Sequence, residues 1–168
     1  MSIYNRTTRE CLPSQWPPES YQAIQNYFQE QQLGNPETEF VACCETISSK
    51  GNTNWLLSWL NGELDATVHT GILLTSERLI WVRNADSSGV VLTAANLKEI
   101  RIGTYAPQFT RDTGLEIIGY VQGSKGRIRG YIGMGPEPAA QKFRDEVKEA
   151  IDKINPPSKR RLPKWLGG

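Results

Sequence analysis

Few residues in this chain have the types and spacing that catalysis needs. His69 is the only histidine, standing between Val68 and Thr70 with no second histidine or cysteine beside it in sequence. A nucleophile–base pair or a metal site requires several such groups to converge, so His69 by itself supports neither. Cys11, Cys43 and Cys44 form no CxxC pair and no Cys/His cluster, which argues against a zinc site or a disulfide framework. Adjacent in a strand, Cys43 and Cys44 point to opposite faces. They read as small buried hydrophobes in a reducing compartment. Gly123-Ser124-Lys125-Gly126 has the letters of a phosphate loop but lacks the GxxxxGK[ST] spacing and joins two strands. No catalytic, metal or cofactor residue is assigned, and the chain is not expected to be an enzyme. Asp and Glu residues distant in sequence are the one group still free to converge in space.

Binding chemistry is better represented. Residues 55–60 put five large apolar side chains into six positions of a loop, where polar residues are the rule. Asn54 and Gly62 are suited to cap one or two helical turns, with Trp55 and Trp59 on one face. Exposed, Trp55, Leu56, Leu57, Trp59 and Leu60 would enter a partner's groove or a bilayer interface. Folded down, they would cover a barrel end or an N-terminal helix. The second segment is the tail, where Lys159, Arg160, Arg161 and Lys164 stand beside Trp165 and Leu166. Each cation near an anionic membrane is worth roughly 1 kcal/mol, enough for weak, salt-sensitive attachment. The same letters suit a linear motif that docks on a protein, or a solvated terminus. The Leu-Gly-Gly end also resembles ubiquitin-like modifiers, although here the final helix follows all the strands. Arg127 and Arg129, with Lys98 and Arg101, make either a positive stripe for an anion or a solvated face neutralised by Glu99, Asp112 and Glu116.

Charge and composition narrow the partners. The chain has 168 residues, 38% hydrophobic and 22% charged, with net charge +1, so wholesale disorder is not expected. The near-neutral total conceals a basic tail after a weakly acidic body. Such a body does not suit a broad nucleic-acid surface. No apolar run reaches the length of a membrane span, and Met1-Ser2-Ile3-Tyr4-Asn5-Arg6 is not a signal peptide. The expected location is the cytoplasm, with membrane association open to the two apolar–basic segments.

The elements that position these groups follow from periodicity. Residues 1–15 are polar and read as a loose arm. Pro17 and Pro18 suit a first helical turn, and a helix over 17–33 follows, with Tyr21, Ile24, Tyr27 and Phe28 on its apolar face. Gly34 and Asn35-Pro36 stop it. Strands are predicted over 39–47, 67–75, 78–83, 90–92, 97–102, 115–122 and 127–134. Seven short strands separated by turn residues predict an antiparallel barrel or sandwich. A last helix over 137–154 places Ala140, Phe143, Val147, Ile151 and Ile154 on one stripe, which must be buried and suits the open end of a small barrel. The N-terminal helix is expected on the barrel's outside, with residues 55–60 as its docking face. The chain thus divides into an arm and helix (1–38), a β domain (39–155) and a basic tail (156–168).

Gly71-Ile72-Leu73-Leu74-Thr75-Ser76-Glu77-Arg78-Leu79-Ile80-Trp81-Val82 forms a hairpin signal, and Leu97-Lys98-Glu99-Ile100-Arg101-Ile102 follows as a strand. Together with the order of seven strands and one capping helix, they resemble the pleckstrin-homology-like superfold, especially its bacterial PH-like and GRAM-like families. The resemblance covers about residues 39–154 and closes with the helix that contains Phe143. It implies a non-enzymatic module that binds lipid headgroups, peptides or other proteins, among which fold does not choose. Phosphoinositide-binding members carry clustered Lys and Arg around the first hairpin. Here Lys50 is nearly alone and the 67–75 strand has neither, which argues against inositol-phosphate binding. The resulting expectation is a non-catalytic adaptor that recognises a protein partner through residues 55–60 and the tail. Peripheral association with anionic lipid through the same residues is the alternative. A homo-oligomer contact is a variant of the exposed case, and Gly-Gly conjugation is a third reading.

Overall fold

Apolar residues at consecutive positions, rather than at every second one, mark a strand covered on both faces. Residues 71–74 and 79–82 have that composition, and they form the centre of a five-stranded antiparallel sheet. The structure is a computed structural model; residues 4–50, 67–103 and 113–156 are described. Strands β1 (Tyr4–Glu10), β2 (Ala42–Lys50), β3 (Thr67–Leu74), β4 (Arg78–Ala85) and β5 (Gly89–Asn96) pair in chain order. Strands β6 (Ile100–Gly103), β7 (Thr113–Gly119) and β8 (Ile128–Met134) pair in chain order as a second, three-stranded antiparallel sheet. Helix α1 (Pro18–Glu30) precedes β2, and helix α2 (Pro138–Ile154) follows β8. The architecture is therefore mainly β with two helices, but eight described strands in two separate sheets stand where a closed seven-stranded barrel was one expectation.

Two apolar clusters hold the layers together. In the inner one, Ile72, Leu74 and Leu79 of the large sheet meet Leu115, Ile117, Ile132 and Met134 of the small sheet. Helix α2 lays Ala140, Phe143, Val147 and Ile151 into the same cluster, so the apolar stripe read from the sequence is the buried face. In the outer cluster, Leu73, Ile80, Val82 and Ala94 lie with Trp16 and with Ile24, Tyr27 and Phe28 of α1. Helix α1 is thus on the outside of the sheet as expected. Its docking face is β3–β5; residues 55–60 lie outside the described residues.

Residues 4–10 correct the reading of a loose N-terminal arm. They form β1, in register with β2 from Tyr4↔Lys50 to Glu10↔Cys44. Their inward contacts are polar, which is why no apolar alternation announces the strand. The Thr8 and Thr46 hydroxyls lie 2.8 Å apart, and the Gly135 N–H donates to Thr8 Oγ1 at 2.8 Å. The two strands read at 90–92 and 97–102 are present, with different bounds. Strand β5 runs on to Asn96, and Leu97–Glu99 is a 3-10 turn between the sheets. Asn96 Oδ1 caps that turn by accepting from the Lys98 N–H at 3.0 Å.

The β3–β4 hairpin shows why its residues are what they are. Thr75 Oγ1 accepts from the N–H groups of Glu77 (3.3 Å) and Arg78 (2.9 Å), closing the turn with a side chain. Arg78 Nη1 then donates to Tyr27 Oη at 2.8 Å, and Tyr27 Oη donates to Gln122 Oε1 at 2.8 Å, tying the turn to α1 and to the β7–β8 connection. Gly71 leaves room for the Trp16 ring, since a Cβ there would sit 2.4 Å from it. Gly71→Ala should therefore lower stability by about 1–3 kcal/mol through overpacking, read as a lower urea midpoint. Gly126→Ala, in open space, should stay within about 0.5 kcal/mol. Equal midpoints for the two variants would contradict this packing.

Candidate functional site

A strand at the end of a sheet has one row of backbone N–H and C=O groups without a ladder partner. Among the described residues, β6 is such a strand: it pairs with β7 on one side only. A groove of about 1080 Å³ runs beside it, bounded by β6, by Ile118, Tyr120 and Arg127, and by the last turns of α2. The sequence dictates this arrangement through two constraints. Ile100 is buried in the inner core, which holds β6 in place. Asn155, just past α2, reaches the carbonyls of Leu97 and Lys98 with Nδ2 at 3.4 Å each, which fixes the distance between helix end and strand start.

The groove is basic over an apolar base. Lys98, Arg101, Arg127 and Lys148 line it, against the carboxylates of Glu99 and Asp152, while Ile102, Ile118 and Ile151 supply the apolar surface. Among the described residues, none of the four cations is in an ion pair. The structure thus brings together three of the four cations of the suggested stripe, Lys98, Arg101 and Arg127. Arg129 is not with them, because its guanidinium is bound to the nearly buried carboxylate of Glu116. That pairing raises the Arg129 pKa, chiefly through the hydrogen bond to Glu116. Lys148 and Asp152 were not singled out in the sequence, where they belong to the ordinary charged face of an amphipathic helix.

The remaining chemistry-bearing residues have structural partners. Glu45 is only 1% exposed, yet its carboxylate accepts from Arg9 Nε (3.0 Å) and Nη2 (2.7 Å) and meets His69 Nδ1 at 2.9 Å. His69 therefore sits in a three-member polar cluster on the outer sheet face rather than alone in a strand. Hydrogen bonding to Glu45 raises the Arg9 pKa, against a smaller opposing effect of burial. Cys43 and Cys44 do take opposite faces, Cys43 in the outer cluster and Cys44 in the inner one. Residues 123–126 form a polar turn in which the Ser124 hydroxyl donates to the Gly126 carbonyl at 2.9 Å.

The two segments expected to bind lie elsewhere. Trp55, Leu56, Leu57, Trp59 and Leu60, and Lys159, Arg160, Arg161, Lys164 and Trp165, are outside the described residues. Among the described residues, no helix is long and apolar enough to cross a membrane, and no group of three or more His, Cys, Asp and Glu is placed to hold a metal ion. No family model, curated protein or solved structure matches the chain.

The Glu45 cluster yields a prediction for the outer face. Arg9→Met strips the buried Glu45 carboxylate of its guanidinium and should cost about 1–3 kcal/mol in urea unfolding. Lys142→Met breaks only the exposed pair with Glu10 and should change stability by less than about 1 kcal/mol. A smaller loss for Arg9→Met than for Lys142→Met would contradict the assignment.

Proposed function

We propose that this chain is a non-catalytic, cytoplasmic binding module of pleckstrin-homology-like architecture that recognises a protein partner. The partner segment is an extended peptide, net acidic with apolar side chains, laid along β6. The observation that carries this reading is the strand edge opening onto a basic groove. An extended peptide can add to such an edge through main-chain hydrogen bonds, which give affinity independent of sequence. Its alternate side chains then face opposite ways, one set on the face of Ile102 and the other on the face that carries Arg101 and Ile118. Complementary charge favours an acidic segment and speeds its encounter.

The architectural part of the proposal rests on element order. Strands β2–β8 followed by α2 are seven strands and one helix, and the β3–β4 hairpin and the 3-10 turn with β6 contain the residues that carry the resemblance. Strand β1 and helix α1 are additions to that order. Residues 55–60 and the basic tail would extend the contact beyond the groove.

Peptides selected from a display library for binding the full-length chain provide the test, with affinity read by fluorescence anisotropy. The selected peptides should be enriched in Asp, Glu and apolar residues. Arg101→Glu combined with Arg127→Glu should weaken them at least about tenfold, the equivalent of about 1.4 kcal/mol, and amide shifts should map to β6 and the end of α2. Unchanged affinity in that double variant would overturn the groove assignment. Salt-sensitive binding to phosphatidylserine vesicles, with no peptide selected, would favour the membrane reading instead.

A further inference from the structure

The strand that the sequence conceals brings two distant cysteines together. Glu10 faces Cys44 in the β1–β2 register, so Cys11, the next residue, stands opposite Cys43. The Cys11 N–H still reaches the Cys43 carbonyl, at 3.4 Å. Residues directly opposite in an antiparallel pair have Cα atoms about 4.5–5.5 Å apart, inside the roughly 4.4–6.8 Å window of a disulfide. The long 3.4 Å contact marks a rung at the loose end of the ladder, where the backbone can adjust. Both thiols are free and both belong to the outer apolar cluster.

We propose that Cys11 and Cys43 are a redox-active dithiol, in which Cys11 is the nucleophile toward hydrogen peroxide and Cys43 resolves it to an intramolecular disulfide.

Access and electrostatics assign the two roles. Cys11 is 9% exposed, against 3% for Cys43 and 1% for Cys44. All three cysteines line a cleft of about 320 Å³ between the β1–β2 end and α2, across which Lys142 Nζ reaches Glu10 Oε1 at 3.0 Å, so the roles rest on the greater exposure of Cys11 and on its electrostatics. The neighbouring Cys43 thiol lowers the Cys11 pKa, and Cys11 together with burial raises that of Cys43. Burial and the charge of Glu45 oppose that lowering, while the Trp16 indole, whose buried N–H has no hydrogen-bond partner, and the charge of Arg9 support it. Cys44 faces the other core, and burial pushes its thiol up.

The Cys11 thiolate attacks one peroxide oxygen, the O–O bond breaks, and the leaving hydroxide takes a proton to become water. Cys11 is then a sulfenic acid, oxidised by two electrons. Cys43 attacks the Cys11 sulfur, the S–O bond breaks, and the departing hydroxide leaves as water with the Cys43 proton. Two thiols have lost two electrons to the peroxide, which is reduced to two waters. The new bond ties the end of β1 to the start of β2 and encloses α1 within a covalent loop.

Hydrogen peroxide added stoichiometrically to the reduced full-length protein, followed by intact and peptide mass spectrometry, tests this. Wild type should lose the mass of two hydrogens, yield one linked peptide pair joining Cys11 to Cys43, and regain its mass with dithiothreitol. Cys44→Ser should behave like wild type. Cys43→Ser should lose the link and give a dimedone adduct at Cys11, whereas Cys11→Ser should give neither. The proposal is overturned if wild type is unchanged, if the link involves Cys44 or a second chain, or if oxidation halts at sulfinic acid with Cys43 still free. Peptide mapping of wild type decides the pairing even where a variant folds poorly.

Discussion

Strands β3 and β4 touch water on neither face across residues 71–74 and at Leu79, Ile80 and Val82, and most of the architecture answers to that constraint. A sheet centre that is apolar on both sides needs two covers. The small sheet and α2 provide one, and Trp16 with α1 provides the other. Burying a side chain such as Leu73 or Ile80 is worth roughly 1.5–3 kcal/mol, so removal of either cover would expose several such residues at once. Gly71 is where the demand is tightest, because an indole ring lies directly over the backbone.

The two covers also determine where backbone is left available. On the outer flank β1 extends the large sheet, and its edge is occupied: the Thr8 N–H donates to Glu137 Oε2 at 2.9 Å. At the other flank the Ala94 carbonyl of β5 accepts from the Gln122 N–H at 2.7 Å. Strand β6 differs: among the described residues it has a ladder partner on one side alone, with α2 beside it and Asn155 bonded to the turn that precedes it. A separate three-stranded sheet is what leaves that edge open, so the proposed peptide site follows from the failure of the two sheets to close into a barrel.

Much of this was legible in the residues. The stripe Ala140, Phe143, Val147 and Ile151 announced α2 and its buried face, and the alternating segments with their turns announced antiparallel β structure. Strand β1 was not legible, because Thr8 binds Thr46 and Gly135 through its hydroxyl and polar pairing leaves no hydrophobic period. That omission hid the approach of Cys11 to Cys43, which depends on register rather than on spacing. The groove was half visible: Lys98, Arg101 and Arg127 stood out as a basic set. Lys148 and Asp152 look like solvated helix charges until the topology places α2 beside β6. Leu97 reads as part of a strand by composition. It becomes a 3-10 turn because the chain must leave one sheet for the other, and Asn96 supplies the cap.

Native-state hydrogen exchange tests the central claim, two-sided burial of β3 and β4, most directly. The amides of the paired residues Leu73 and Ile80 should exchange only through global unfolding, with free energies equal to that from denaturant titration. Those of Arg101 and Gly103 in β6 should exchange through smaller, local openings. Leu73 and Ile80 amides exchanging as readily as those of β6 would contradict the account.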